Sequence, residues 1–187
     1  VPAGPYLRRF GTSPDQVAAG EGWITKAQAY GFMRAAAQGE SIPDLGYRVG
    51  RSFHFEILGP IGSRMRTCET LKEALDMLSV FIRHVATDNR VWLSGDRDQV
   101  WLCNDSGDTS LPGSECGVQL GAMVFLQLVR SAAGAEGWTP SEVVFESDPG
   151  VAHEAVPEFA GARPGFRSVF TAIRFPLEFL ARPLDRR

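Results

Sequence analysis

The stretch TLKEALDMLSVFIRHVATDNRVWLSGDRDQVWLCN, residues 70–104, changes its hydrophobic period halfway along, and that change decides the fold class. In its first half Leu71, Ala74, Leu75, Leu78, Ile82 and Val85 keep the i, i+3, i+4, i+7 spacing that gathers side chains on one face of an α-helix. Thr70 and Glu73 stand where a capping box needs them, so the stripe also has a start signal. From Arg90 the pattern is that of strands. Arg90–Ser94 and Gln99–Asn104 are aromatic and β-branched runs on either side of Gly95-Asp96-Arg97-Asp98, which reads as a hairpin.

Toward the amino terminus, residues 1–22 are rich in Gly and Pro and read as an arm, with Tyr6, Leu7 and Phe10 docking part of it on the body. Thr25-x-x-Gln28 is another capping box; Ala27, Tyr30, Met33 and Ala37 form the apolar face behind it, and Gly39 is a stop signal. Gly46, Gly50, Gly59, Pro60 and Gly62 predict short turns, with a short strand over Phe53–Ile57. Beyond the hairpin, a polar loop from Asp105 to Glu115 leads into a helix over Val118–Ala133 that is apolar on most sides and therefore central. Glu142–Glu146 reads as a strand and Ala152–Phe159 as a short helix limited by Pro157. Phe166–Phe175 reads as the last strand, with Val169, Ile173 and Phe175 on one face and Phe166, Phe170 and Ala172 on the other. The sum is a single α+β domain, an antiparallel sheet of about four to five strands packed against helices.

Composition bounds the function. A chain of 187 residues, 44% hydrophobic and 22% charged, has the size and make-up of one globular domain and excludes wholesale disorder. The most apolar stretch, Val118–Ala133, is interrupted by Gln127 and Arg130, so no membrane span is expected. A net charge of −3 makes a poor stand-alone nucleic-acid binder. The charge is uneven: Arg163, Arg167, Arg174, Arg182, Arg186 and Arg187 crowd the end, whereas Glu136–Glu158 holds acids without a Lys or Arg. That basic end reads either as an interaction arm or as a solvated terminus. Lysine occurs only at Lys26 and Lys72, which fits a GC-rich bacterial coding sequence.

Three cysteines, Cys68, Cys103 and Cys116, are an odd number and imply a reduced, cytoplasmic setting. Their spacing matches no zinc pattern and His54, His84 and His153 are scattered, so no metal and no cofactor is expected. Nucleophile elbows, metalloprotease helices, P-loops and dinucleotide fingerprints are missing from the sequence, which gives an enzyme no support. For a binding site the candidates are Trp92, Trp101, Phe145 and Phe170, since aromatic side chains line small-molecule pockets, although ordinary cores are built the same way. Arg64 and Arg66, with Arg51 and His54, bring positive charge to the segment before the helix at Leu71 and are candidate anchors for an anionic effector.

The order of several motifs resembles a known family. Pro43-x-Leu45-Gly46, Leu58-Gly59-x-x-Gly62, Thr70-Leu71-x-x-Ala74-Leu75, Leu128-Val129-Arg130, Gly137-Trp138-Thr139-Pro140, Val143-x-Phe145, Phe159 with Phe166, and above all Phe175-Pro176-x-x-Phe179-Leu180-x-x-Pro183-Leu184 are similar to the amino-terminal, arabinose-binding-like sensing domain of AraC-type bacterial transcription regulators. Ser63-Arg64-Met65-Arg66 departs from the family, being less apolar, and points to a different effector or partner surface. The resemblance implies an effector-binding and dimerisation domain over 23–184, preceded by the 1–22 arm. It also implies that 185–187 begin a linker to a helix-turn-helix domain through which DNA is bound. The expected partners are a small-molecule effector, held between sheet and helices, and a second copy of the chain. The competing reading is a structural interaction domain without a ligand.

Overall fold

The apolar stripe of residues 71–85 closes onto the hairpin that follows it. The computed structural model describes residues 2–19, 23–86, 88–95, 97–149 and 156–185. In chain order the elements are α1 (Ala3–Arg9), α2 (Pro14–Ala19), α3 (Lys26–Gly39), α4 (Leu45–Arg51), α5 (Pro60–Met65), α6 (Leu71–Val85), β1 (Arg90–Gly95), β2 (Gln99–Asp105), α7 (Ser114–Arg130), β3 (Glu142–Val144), β4 (Arg163–Gly165) and β5 (Thr171–Pro176). The strands form one sheet in the order β1-β2-β5-β3-β4, antiparallel except for the parallel β3–β4 pair. The α+β architecture expected of the sequence is what the chain adopts.

Alternation along the strands sorts the two faces of the sheet. Val91, Val100, Leu102, Val143, Ile173 and Phe175 are buried in one core with Leu71, Leu75 and Leu78 of α6 and Ala122, Met123, Leu126 and Val129 of α7. The opposite face carries Trp92, Cys103 and Ala172 in one cross-strand row and Ser94, Trp101 and Arg174 in the next. The terminal Phe175–Leu184 run acts as a clasp. The Leu71 amide donates to the Arg182 carbonyl and the Ala133 amide to the Pro183 carbonyl, at 3.0 and 2.8 Å. It thereby joins the start of α6 to the end of α7.

Several boundaries differ from the sequence reading. No strand forms at 53–57; α4, a 3₁₀ turn at Phe55–Leu58 and α5 occupy this stretch. Gly59 does turn the chain, with φ +61° and open space around it, but Gly46 and Gly50 are contacts. A Cβ on Gly46 would lie 2.2 Å from the Cys116 carbonyl oxygen, and one on Gly50 would lie 2.6 Å from Met123 Cβ, so α4 crosses α7 where only glycine fits. Helix α7 starts at Ser114, four residues before the apolar run, and stops at Arg130. The final strand starts at Thr171 rather than Phe166; residues 163–165 pair separately with β3, and Val169 is 82% exposed rather than on a strand face. The expected helix at 152–159 contributes a 3₁₀ turn at Pro157–Phe159, and its Ala152–Ala155 portion, with His153, lies outside the described residues.

The segment read as an arm is helical where described and docks as expected. Tyr6 Oη donates to Glu40 Oε1 at 2.9 Å, and the Phe10 ring lies so close to Gly31 that a Cβ there would meet it at 2.5 Å. Among the described residues the basic end is drawn into ion pairs within the molecule; Arg186 and Arg187 lie outside them. Arg163 and Arg174 both hold Glu142, Arg167 holds Asp148, and Arg182 holds Glu178. Arg51 grips Glu158 with two hydrogen bonds of 2.6 and 3.0 Å.

Candidate small-molecule site between helices and sheet

Three helices converge on the β1–β2 end of the sheet without filling the space between them. The result is a chamber of about 560 Å³, within the range of sites that take drug-sized ligands. Its walls repeat at helical spacing: Ala29, Tyr30 and Met33 from α3, Leu78, Ile82 and Val85 from α6, and Leu120, Val124 and Leu128 from α7. Val91 and Asn104 supply the sheet side. Two glycines on α7 face this region, and one of them leaves it open. At Gly117 the Tyr30 ring takes up the room, since a Cβ would lie 2.5 Å from it; at Gly121 a Cβ would meet nothing within 4 Å. Trp23, 83% exposed, and Ile24, 51% exposed, stand at the edge.

The polar part of the lining is tied up in structure. Lys26 Nζ sits 2.6 Å from Asp88 Oδ1, 2.9 Å from Asn89 Oδ1 and 2.6 Å from the Ser106 carbonyl oxygen. An ammonium has three protons, and here each has an acceptor. Behind Tyr30 lies a chain of polar groups around the buried Ser106 and Thr171. The Ser106 amide and hydroxyl donate to Glu146 at 3.0 and 2.8 Å, and the Thr171 hydroxyl donates to it at 3.0 Å. Burial pushes the Glu146 carboxyl up from its ordinary value, with these hydrogen bonds opposing the shift. Burial likewise raises the Tyr30 hydroxyl, reinforced by the charges of Glu146 and Asp88.

None of the sequence candidates lines this chamber. Trp92 and Phe170 do come together, edge to face at 5.5 Å, but on the sheet face away from the core. Trp101 is on that same face with the Arg174 guanidinium 5.8 Å from its ring centre. Phe145 is buried in the core, stacked on Phe166 at 5.5 Å, and touches a second cavity of about 440 Å³ bounded by Arg34, Glu115, Gln119 and Asp148. Arg64 is exposed at the end of α5. Arg66 pairs with Glu56 and borders a shallow concavity of about 310 Å³ with His54 and Arg130. The residues that do shape the chamber, Lys26, Tyr30, Asn104 and Gly121, were marked in the sequence only as a helix start, an apolar face, a strand end and a break in an apolar run. Among the described residues no group of three His, Cys, Asp or Glu side chains is placed to hold a metal, and no helix is long and apolar enough to cross a membrane.

An apolar recess of this size between helices and a sheet is the kind of place in which small molecules bind. The family model described as the arabinose-binding domain of AraC transcription regulators, N-terminal, matches residues 1–184, and the chain belongs to that family. It is accordingly a regulatory domain of transcription regulators and not an enzyme. Among solved structures, the crystal structure of the transcriptional regulator CdpR from Pseudomonas aeruginosa has the same fold, with a TM-score of 0.67 at 15% identity. The match takes in 99% of this chain and 56% of that one, so the chain spans little more than half the length of CdpR. No curated protein sequence matches the chain.

Proposed function

We propose that this domain senses a small molecule in the 560 Å³ chamber and passes its occupancy to the dimerisation and DNA binding of an AraC-type regulator acting in the cytoplasm. The observation that carries the reading is the chamber itself. It is an apolar recess that opens to solvent past Trp23, Ile24 and Val85, so a ligand has a way in, and its volume is that of small-molecule sites. The walls also come from parts of the chain far apart in sequence, α3, α6 and α7. A ligand that prefers one arrangement of these helices shifts the population toward it by its differential affinity, about tenfold for each 1.4 kcal/mol. DNA contact is assigned to a separate domain, in keeping with the net charge of −3.

An anionic effector at Arg66 is the second reading, because Arg66, Arg130 and His54 share one concavity. Glu56, Glu136 and Asp185 border the same concavity and offset that charge. Thermal-shift screening of the domain against a broad panel of metabolites tests the proposal. The expected result is a compound that raises the melting temperature of the domain and changes its sedimentation as a dimer. A panel without any such compound refutes the sensing role. Binding of duplex DNA by this domain alone, with a steep salt dependence, refutes the division of labour.

A further inference from the structure

Resting on the sensing role just proposed, we infer that the effector of this chamber is an uncharged, predominantly apolar molecule with few hydrogen-bonding groups, and neither a sugar nor a carboxylate. The walls decide this. A sugar offers a hydroxyl on nearly every carbon, and each one buried without a partner costs free energy of desolvation. The α6 wall of Leu78, Ile82 and Val85 and the α7 wall of Leu120, Val124 and Leu128 present only hydrocarbon to it.

The polar groups at one end do not reverse this. Lys26 is the one cationic side chain in the described lining, and Asp88, Asn89 and the Ser106 carbonyl already take its three protons. Asp88 balances its charge, so a carboxylate brought here meets a neutral pair and must give up its hydration. The Tyr30 hydroxyl stands beside the Ser106–Glu146 chain and adds one neutral hydrogen-bonding group at this end. Asn89 and Asn104 remain as neutral amide groups at the rim, suited to a single hydroxyl or carbonyl. Trp23 and Ile24, exposed beside the chamber, extend its apolar surface outward.

The test titrates the domain by calorimetry with the n-alkanols from hexanol to nonanol, with octanoate, and with L-arabinose. The alkanols should bind with affinity rising about fourfold per methylene, the fold-change that ~0.8 kcal/mol per buried CH₂ gives, until the chamber is full. Octanoate should bind at least tenfold more weakly than octanol at neutral pH, and arabinose should show no heat. Gly121→Leu, which grows into the open space before that Cβ, should weaken alkanol binding at least tenfold and shorten the chain length at which the series levels off, while circular dichroism and the melting curve show a folded domain. Gly121→Met, with a more flexible side chain, is the second variant, and the chain-length series on the native domain needs neither. Arabinose or octanoate binding that outdoes octanol and is lost in Gly121→Leu overturns the apolar assignment and leaves the chamber as the sensor. Alkanol binding unchanged in a folded Gly121→Leu overturns both. No binding by any of these probes overturns the apolar assignment alone, the sensing role then standing or falling on the metabolite panel.

Discussion

Replacing Gly46 or Gly121 by alanine adds the same methyl group to two helices of the same fold, with opposite consequences. At Gly46 the new Cβ lies 2.2 Å from the Cys116 carbonyl oxygen, 2.7 Å from Gln119 Cβ and 2.9 Å from the Leu120 amide nitrogen. Two of these are backbone atoms of α7, which no rotamer change removes. Relief requires α4 and α7 to part by roughly 1 Å, which loosens Leu45 and Tyr47, both buried at that crossing. Overpacking of this kind costs about 1–3 kcal/mol, and the helix propensity gained over glycine returns under about 1 kcal/mol. The net loss is about 1 kcal/mol, which lowers the melting temperature by about 2–4 °C in a domain of this size. At Gly121 the Cβ meets nothing within 4 Å, so only the propensity gain of about 0.5–1 kcal/mol remains. Urea unfolding followed by circular dichroism, with equal m-values as the check on two-state behaviour, measures both. A Gly46→Ala variant as stable as the parent, or a Gly121→Ala variant as damaged as Gly46→Ala, refutes the close helix crossing or the open chamber respectively.

Other perturbations have equally definite signs. Burial raises the Glu146 carboxyl, so the folded state holds that proton more tightly than the unfolded chain, and this contribution is full at low pH and lost as pH rises through the raised value. Denaturant titrations between about pH 4 and 7 should therefore show Glu146→Gln gaining on the parent as pH increases; a gap that narrows instead refutes the assignment. Glu158 behaves oppositely. The two hydrogen bonds from Arg51 hold its carboxyl below its ordinary value against the effect of burial, so the pair stabilises above the ordinary carboxylate range and fades as pH falls through the depressed value. Arg51→Gln should cost about 1 kcal/mol at neutral pH and less on acidification, read by the same titration. Burial pushes the Cys103 thiol up to about 12 and the Cys116 thiol to about 11, and raises Cys68 as well. A disulfide-exchange reagent at mildly alkaline pH should react slowly with the native domain and rapidly with all three thiols in denaturant. Fast native labelling would place a cysteine at the surface.

The legible parts of the fold are those in which one local device suffices. Thr25 and Gln28 form the reciprocal cap their spacing demands, and the runs at 90–94 and 99–104 do pair as a hairpin, although Gly95, read as part of the turn, lies opposite Val100 in the ladder and sets Trp92 against Cys103. Thr70 caps Glu73 as read, though the Glu73 side chain accepts from the Glu69 amide rather than closing on Thr70. The stretch 46–62 failed because glycine carries two meanings. Alone it marks a turn; at Gly46 and Gly50, four apart, it marks a helix pressed against another, and only knowledge of the partner α7 separates the two. The parallel strand at 163–165 was unreadable for a related reason. Arg163-Pro164-Gly165 has no strand propensity of its own and is held by its neighbour, with Val143 opposite Pro164.

The chamber is harder still to read, because a void has no residues. The aromatic signal pointed to Trp92 and Trp101, yet the alternation that makes them conspicuous also commits them to one face together. The hairpin register sets Trp92 opposite Cys103 and Ser94 opposite Trp101, leaving Val91, Val100 and Leu102 for the helices. Large rings fill space, so a cavity is better sought where side chains are missing. The α7 run has glycine at 117 and 121, one helical turn apart, within a surface apolar on nearly every side. One of these glycines is answered by Tyr30 from α3 and the other by nothing. An all-round apolar helix thus meets its neighbours in two ways, by a tight crossing or as a chamber wall, and α7 shows both. Its Cys116–Met123 side receives Gly46 and Gly50 of α4, while its Gly121 face stands open. What decides between them is the partner: where the facing helix α4 contributes Gly46 and Gly50 the backbones close, and where α6 contributes Leu78 and Ile82 at a distance, space for a ligand remains.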